Sequence, residues 1–465
     1  MGAVALADFG STYTKLSLVD PEEGRLLARA EAPTSTGTDL MEGYEEALGA
    51  ARAAAGRVEV EHRLAASSAG GGLRVAAVGL VADLTAAAAR QAALNAGARV
   101  GSVLAGRLDD EQLDELRAAR PEIVLFAGGT DGGQADLVLE NAGSLASANL
   151  DAHFVVACNA DVAEGAAGLF RDVGATVTVA GNVMPELGVL EIESAREAIL
   201  GAFLEHVIGG KGLSASPEFE RMVQMPTPEA VLEAVRLFSH GTDGIAGVGD
   251  LMAIDVGGAT TDVHSSRAVR AATPGVEDAL LPSPLTLRTV EGDLGLRSGA
   301  AGVLEVDAGW IADRGGLDEA AIGRGVARRG AEVRWIPESP AERELDRLLA
   351  VGCATHAVRR HCGTMLLSRG EGNAPPTLVR SGPDLREVAR VIGTGGVFAH
   401  REDGHGVLET ALRRRAPRSL SPREPEFAID SSYVLAAAGL LAGEDPEAAM
   451  RLLRSELLST AEQTG

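Results

Sequence analysis

The stretch Leu251-Met-Ala-Ile-Asp255-Val-Gly257-Gly258-Ala-Thr260-Thr261-Asp262-Val-His-Ser265 sets two acids, two glycines and two threonines beside apolar runs. Glycines remove Cβ atoms, so backbone N–H groups can face phosphate oxygens, and the threonine hydroxyls add further donors. Asp255 and Asp262 repel phosphate unless a divalent cation stands between or one of them orients water. The apolar flanks read as two strands, making the whole a β-hairpin. Taken singly, the stretch is equally a tight hairpin with a polar turn.

A second copy stands near the start: Val4-Ala-Leu-Ala-Asp8-Phe-Gly10-Ser11-Thr12-Tyr-Thr14-Lys15-Leu. Asp8 matches Asp255, Gly10 matches Gly257 and Thr14 matches Thr261, with Lys15 where the later copy has Asp262. Two related hairpins point to two related domains facing one nucleotide. Lys15 is one of two lysines among 42 basic residues, the other being Lys211, and an ammonium in such a loop neutralises phosphate as a compact charge. A third turn, Gly393-Thr394-Gly395-Gly396, follows an apolar strand and leaves bare backbone for a flat adenine or ribose. Past it, Glu426-Phe-Ala-Ile-Asp430 leads into a helix of small residues that includes Gly439.

The order of these elements resembles the superfamily of acetate and sugar kinases, Hsp70 ATPase domains and actin. Within it the chain resembles the accessory protein L (MutL/GlmL-type) of adenosylcobalamin-dependent glutamate (methylaspartate) mutase. That resemblance also rests on Gly128-Gly129-Thr130-Asp131-Gly132-Gly133, Asn182-Val-Met-Pro185-Glu186 and Val290-Glu291-Gly-Asp293-Leu-Gly295, and it spans residue 8 to about 440. It implies an α/β, actin-like/Hsp70-like ATPase fold, two lobes around a nucleotide cleft. The expected domains are 1–188, carrying an inserted α/β subdomain at about 73–157 and completed by 426–465, and a second lobe over 189–425.

The resemblance implies ATP/ADP and Mg²⁺ as cofactors, with Asp8 and Asp255 organising the metal. Gly10, Ser11, Thr12, Thr14, Lys15, Gly257, Gly258, Thr260 and Thr261 are the expected phosphate contacts, and Gly393, Thr394, Gly395 and Gly396 the adenosine contacts. Asp262 or Glu186 would orient the attacking water. Glu186 is equally read as an acid at the start of a helix over 191–207, favourable to its dipole. Glu291 and Asp293 read either as cleft acids or as a helix-entry turn. The implied function is an ATPase that acts as a chaperone-like reactivating factor for the mutase. A small-molecule kinase and a nucleotide-gated scaffold are the alternatives.

The elements that must position these residues follow a βα alternation from Val100 to Val156, the pattern of a parallel sheet. Thr227-Pro228-Glu229 reads as a helix start with Thr227 as N-cap. With aromatics at only 3%, the cores must be built from Ala, Val and Leu. The net charge of −24, from 66 acids against 42 bases, argues against a nucleic-acid partner. Three cysteines give no pairing framework, so a reduced, cytoplasmic protein is expected. No basic-then-apolar leader opens the chain, and no apolar run of about 18 residues implies a membrane span. Cys353, His356, His361 and Cys362 look metal-like, but on one helix the two histidines lie about 140° apart. His400 and His405 lack zinc-ligand spacing.

Overall fold

The computed structural model describes residues 2–458, apart from 36, 57, 70–71, 209–211, 272, 369–375 and 400–402. Lys211 and His400 therefore lie outside the described residues. The chain opens with β1 (Gly2–Phe9), β2 (Tyr13–Asp20) and β3 (Arg25–Pro33), an antiparallel meander. β1 is buried on both faces along most of its length, as its run of Val, Ala and Leu requires of a central strand. β4 (Glu59–Ser67) pairs parallel to β1 on the other side.

Between β4 and the fifth strand of this sheet lies a second, all-parallel sheet. It contains β5 (Arg74–Gly79), β6 (Arg99–Ala105), β7 (Ile123–Gly128), β8 (His153–Cys158) and β9 (Val177–Val179), in the order β6-β5-β7-β8-β9. Helices separate the strands, the crossover that parallel pairing demands. β7 and β8 are fully buried, and Phe126, Phe154 and Phe170 pack against one another on one face. β10 (Val223–Met225) then returns to pair with β4, giving the order β10-β4-β1-β2-β3.

A later sheet repeats that plan. β11 (Leu251–Val256) and β12 (Thr261–Ser266) form a hairpin, and β14 (Thr286–Glu291) continues it antiparallel. β17 (Arg390–Thr394) and β18 (Glu426–Ile429) extend it parallel on the other side, giving β14-β12-β11-β17-β18. β13 (Val276–Asp278), β15 (Thr364–Ser368) and β16 (Thr377–Ser381) make a separate three-stranded sheet. The long helix Pro340–His361 is buried along much of its length in this part of the chain, against Met252, Ile254 and Val263.

The chain divides into two compact units. The first takes residues up to Glu233, Leu280–Pro284 and Ala436–Ala449; the second takes Ala234–Ala279, Leu285–Leu435 and the chain from Met450. Two boundaries thus differ from the sequence expectation. Residues 189–233 stay with the first unit because β10 completes its sheet and the helix Glu193–Ala202 packs in its core. The C-terminal segment 426–465 does not join the first unit as a whole, because β18 is the fifth strand of the sheet built on β11 and β12. Among the described residues no helix is long and apolar enough to cross a membrane.

Candidate functional site

Each hairpin ends in a turn closed by the same bond. The Gly10 amide donates to Tyr13 O at 3.1 Å, and the Gly257 amide donates to Thr260 O at 2.9 Å. A Cβ on Gly10 would stand 2.7 Å from Tyr13 O, so this tight turn demands glycine. In register, Asp8 faces Lys15 and Asp255 faces Asp262. Ser11, Thr12, Gly258 and Ala259 are exposed at the turn tips, where hydroxyls and amides can meet an anion.

The two matched threonines do not reach those tips. Thr14 is fully buried, with its hydroxyl 3.3 Å from that of Thr34. Thr34 in turn donates to Gly10 O at 2.9 Å, and its amide donates to Thr12 O. Thr261 is likewise buried and donates to Leu294 O at 2.9 Å. Each of these hydroxyls, expected at phosphate, ties its turn to a neighbouring segment. The second turn is clamped further by Leu296 N on Gly257 O and Arg297 N on Gly258 O. Gly295 and Gly299 allow that approach, since a Cβ on either would collide with Ala259.

The acids differ in their partners. Asp8 Oδ1 accepts from the Thr227 hydroxyl at 2.6 Å, and Oδ2 lies 3.9 Å from Lys15 Nζ. Asp262 Oδ1 accepts from Arg288 Nε at 2.9 Å and Nη2 at 2.5 Å, while Oδ2 accepts from Thr260 at 3.3 Å. Arg288 comes from β14 with its side chain 3% exposed. It supplies the cation that Lys15 supplies in the first hairpin. Thr227, Thr34 and Arg288 were not legible as site residues, because each reaches its partner through sheet register or packing rather than through any local spacing.

The glycine turn after β17 packs onto Asp255. Gly395 has φ +96°, and a Cβ there would stand 2.7 Å from Asp255 Oδ1 and 2.8 Å from Val256 O. Thr394, expected at adenosine, is buried and donates to Asp430 Oδ2 at 3.2 Å. Asp430 itself accepts from the Val434 and Leu435 amides at the start of the closing helix. Gly393 is buried against the Phe398 ring, which a Cβ would approach to 3.0 Å. Gly396 opens the short helix Gly396–Ala399.

Glu186 is exposed in a turn, and the expected helix begins only at Glu193, so Glu186 is not in its first turn. Around it, Asn182 donates to Gly129 O and Asp131 Oδ1, and Asp131 also accepts from the Ala160 amide. The Gly128–Gly133 turn thus uses its acid internally. Glu291 and Asp293 are both held by Arg360, at 2.7 Å and 2.6 Å. That guanidinium keeps the Asp293 carboxyl below its ordinary value. His361 is buried beside the second hairpin, bonded to Thr289 and Ser265, and burial pushes its imidazole down to about 3. His356 faces Asp307, and Cys353 and Cys362 are buried free thiols.

Two sheets of one strand order, each opening on an acid-bearing hairpin turn, define an α/β protein of the actin-like class. The chain belongs to the MutL protein family, whose model matches residues 4–457. It is similar to "Protein MutL" of Clostridium tetanomorphum, at 38% identity over 98% of this chain and 100% of that one. Among solved structures it is similar to an activator of the 2-hydroxyisocaproyl-CoA dehydratase from Clostridium difficile with bound ADPNP. There the identity is 10%, the coverage 97% and 96%, and the TM-score 0.29. A glycerol dehydratase reactivase matches at 12% identity, with coverage of 95% and 99% and a TM-score of 0.32. At such scores the class rests on the strand order of the chain itself.

Proposed function

We propose that this protein is an ATP-binding and ATP-hydrolysing accessory factor that reactivates an adenosylcobalamin-dependent mutase such as glutamate mutase. The observation that carries the nucleotide part is the repeated turn. Two hairpins, 247 residues apart (255 − 8), share one closing bond and one acid position. The partner is drawn from membership of the MutL family.

In this reading the turn tips, exposed at Ser11, Thr12, Gly258 and Ala259 and half-buried at Thr260, receive phosphate oxygens. Lys15 balances phosphate charge. Asp8 and Asp255 are the carboxylates that would hold Mg²⁺: each stands one residue before the end of a strand that leads into an exposed turn. One or two carboxylates with water and phosphate suffice for this ion. Bound there, Mg²⁺ supplies Lewis-acid stabilisation of charge on the phosphoryl oxygens. Asp262 orients water through Oδ2, since Arg288 occupies Oδ1.

Calorimetry with ADP and ATP, with and without EDTA, tests the reading. Binding that weakens without metal is expected, and Asp8→Asn or Asp255→Asn lowers phosphate release roughly 100-fold, the scale of metal-borne charge stabilisation. Absence of nucleotide binding by the wild-type protein would overturn it, and phosphate release unchanged in both variants would make the carboxylates structural.

A further inference from the structure

We propose that Thr227 is a positioning residue that holds the Asp8 carboxylate away from Lys15 and leaves one carboxylate oxygen directed outward. The role given to that oxygen rests on the function proposed above; the positioning itself does not.

The local sequence, Pro226-Thr227-Pro228-Glu229, reads as a helix with Thr227 at its N-cap. The backbone shifts that by one residue. Ala230 N donates to Pro226 O at 3.2 Å, the first turn of the helix, and Glu229 N donates to the same oxygen. Pro226 therefore occupies the cap position, and the Thr227 hydroxyl is not spent on a helix amide. It donates instead to Asp8 Oδ1 at 2.6 Å, across 219 residues of chain.

Sheet register explains why the hydroxyl arrives there. Met225 on β10 is level with Ala66 on β4, and Ala66 is level with Asp8 on β1. Thr227 follows Met225 by two residues, so it starts the helix just past the row that carries Asp8. The helix start is then pinned from several sides. Gly97, at φ +78°, lies so close that a Cβ would stand 2.9 Å from Pro226 Cβ and 3.1 Å from Glu229 N. Glu229 is buried and paired with Arg196. Gly439 lies against Ala230 O, where a side chain would collide. A donor fixed by this much packing aims its bond at a single carboxylate rotamer.

The consequence falls on Asp8 and Lys15. The two residues face one another across β1 and β2, yet Nζ and Oδ2 are 3.9 Å apart, longer than a hydrogen-bonded ion pair. With Oδ1 engaged by Thr227, the carboxylate cannot turn to grip the ammonium with both oxygens. Oδ2, on a side chain 14% exposed, is left as the acceptor beside the turn. Removing the hydroxyl lets the acid close on the lysine, and each then neutralises the group the other would offer to a phosphate–metal ligand.

Crystal structures of Thr227→Val and Thr227→Ser decide the positioning. In Thr227→Val the Asp8–Lys15 separation is expected to close from 3.9 Å to about 2.8 Å, and in Thr227→Ser it stays as in the wild type. If Thr227→Val does not fold, Thr227→Ala reads the same distance. An Asp8 carboxylate unmoved in the variant lacking the hydroxyl overturns the proposal. Calorimetry with ADP adds the functional readout: the Mg²⁺-dependent gain in affinity falls roughly tenfold in Thr227→Val and returns in Thr227→Ser, as for groups that orient a metal ligand. Wild-type ADP binding indifferent to Mg²⁺ would overturn the proposed function, and the crystallographic distance would still decide for or against Thr227.

Discussion

Lys15 and Asp262 stand at matching positions of two matching hairpins, and the charge around each is balanced by a different route. In the first, acid and lysine face one another across the ladder. In the second, Asp255 and Asp262 face one another, a like-charge cross-strand pair that is unfavourable by itself. Arg288, one strand further on, grips Asp262 through two nitrogens and offsets that repulsion. Nearby, His361 is wholly enclosed and keeps both ring nitrogens on hydroxyls, Thr289 and Ser265. Burial lowers its pKa from 6.5 to about 3. Below pH 6.5 the unfolded chain takes up a proton that the folded chain refuses, so stability is full above that value and is lost as the pH falls toward about 3. Each pH unit in that window costs about 1.4 kcal/mol for such a group. Thermal unfolding from pH 7 to pH 4 is expected to show a shallower fall for His361→Gln than for the wild type. Parallel curves would mean that the ring accepts a proton without unfolding.

At the scale of elements, glycine decides how closely helices approach. Gly439 in the helix Val434–Ala442 sits against Ala230 O of the helix Thr227–His240, and a Cβ there has no space. Gly323, in the helix Glu319–Ala331, has nothing within 4 Å of a built Cβ. Gly439→Ala should destabilise by about 2–3 kcal/mol through forced separation, while Gly323→Ala should stabilise by about 0.5–1 kcal/mol through helix propensity. Chemical denaturation of both variants checks the contrast; equal midpoints would mean that the backbones separate at no cost. The same distinction shows what the sequence could and could not disclose. The hairpins were legible because apolar runs flank glycine turns, and the βα alternation from Val100 was legible because β7 and β8 are short, fully buried apolar runs between helices. β10 and β18, at three and four residues, carry no alternation of their own and take their places only by pairing. The burial of the Thr14 and Thr261 side chains has no local signal, because position in a turn does not reveal which way a side chain points in the sheet.

For the whole molecule, the contacts group residues by sheet rather than by chain order. The chain leaves the first unit after Glu233, contributes Leu280–Pro284 to it again, and returns for Ala436–Ala449. A net charge of −24 sets solubility and electrostatic background, not partner identity, so the mutase assignment needs a test that charge alone would fail. Thermodynamic linkage supplies one. If nucleotide and mutase bias the same conformational equilibrium, the factor by which saturating ADP changes mutase affinity must equal the factor by which saturating mutase changes ADP affinity. A nonspecific electrostatic association would instead weaken steadily with salt and show no such equality. Titrating the protein with an adenosylcobalamin-dependent mutase, in ADP, in ATP and without nucleotide, measures both factors independently. Equal factors of about 5- to 150-fold are expected, the usual span of such couplings. ATP should also restore activity to mutase inactivated by turnover. A factor of one in both directions, with no recovery, would remove the mutase from the proposed function and leave the nucleotide-binding reading of the two hairpins to stand on its own test.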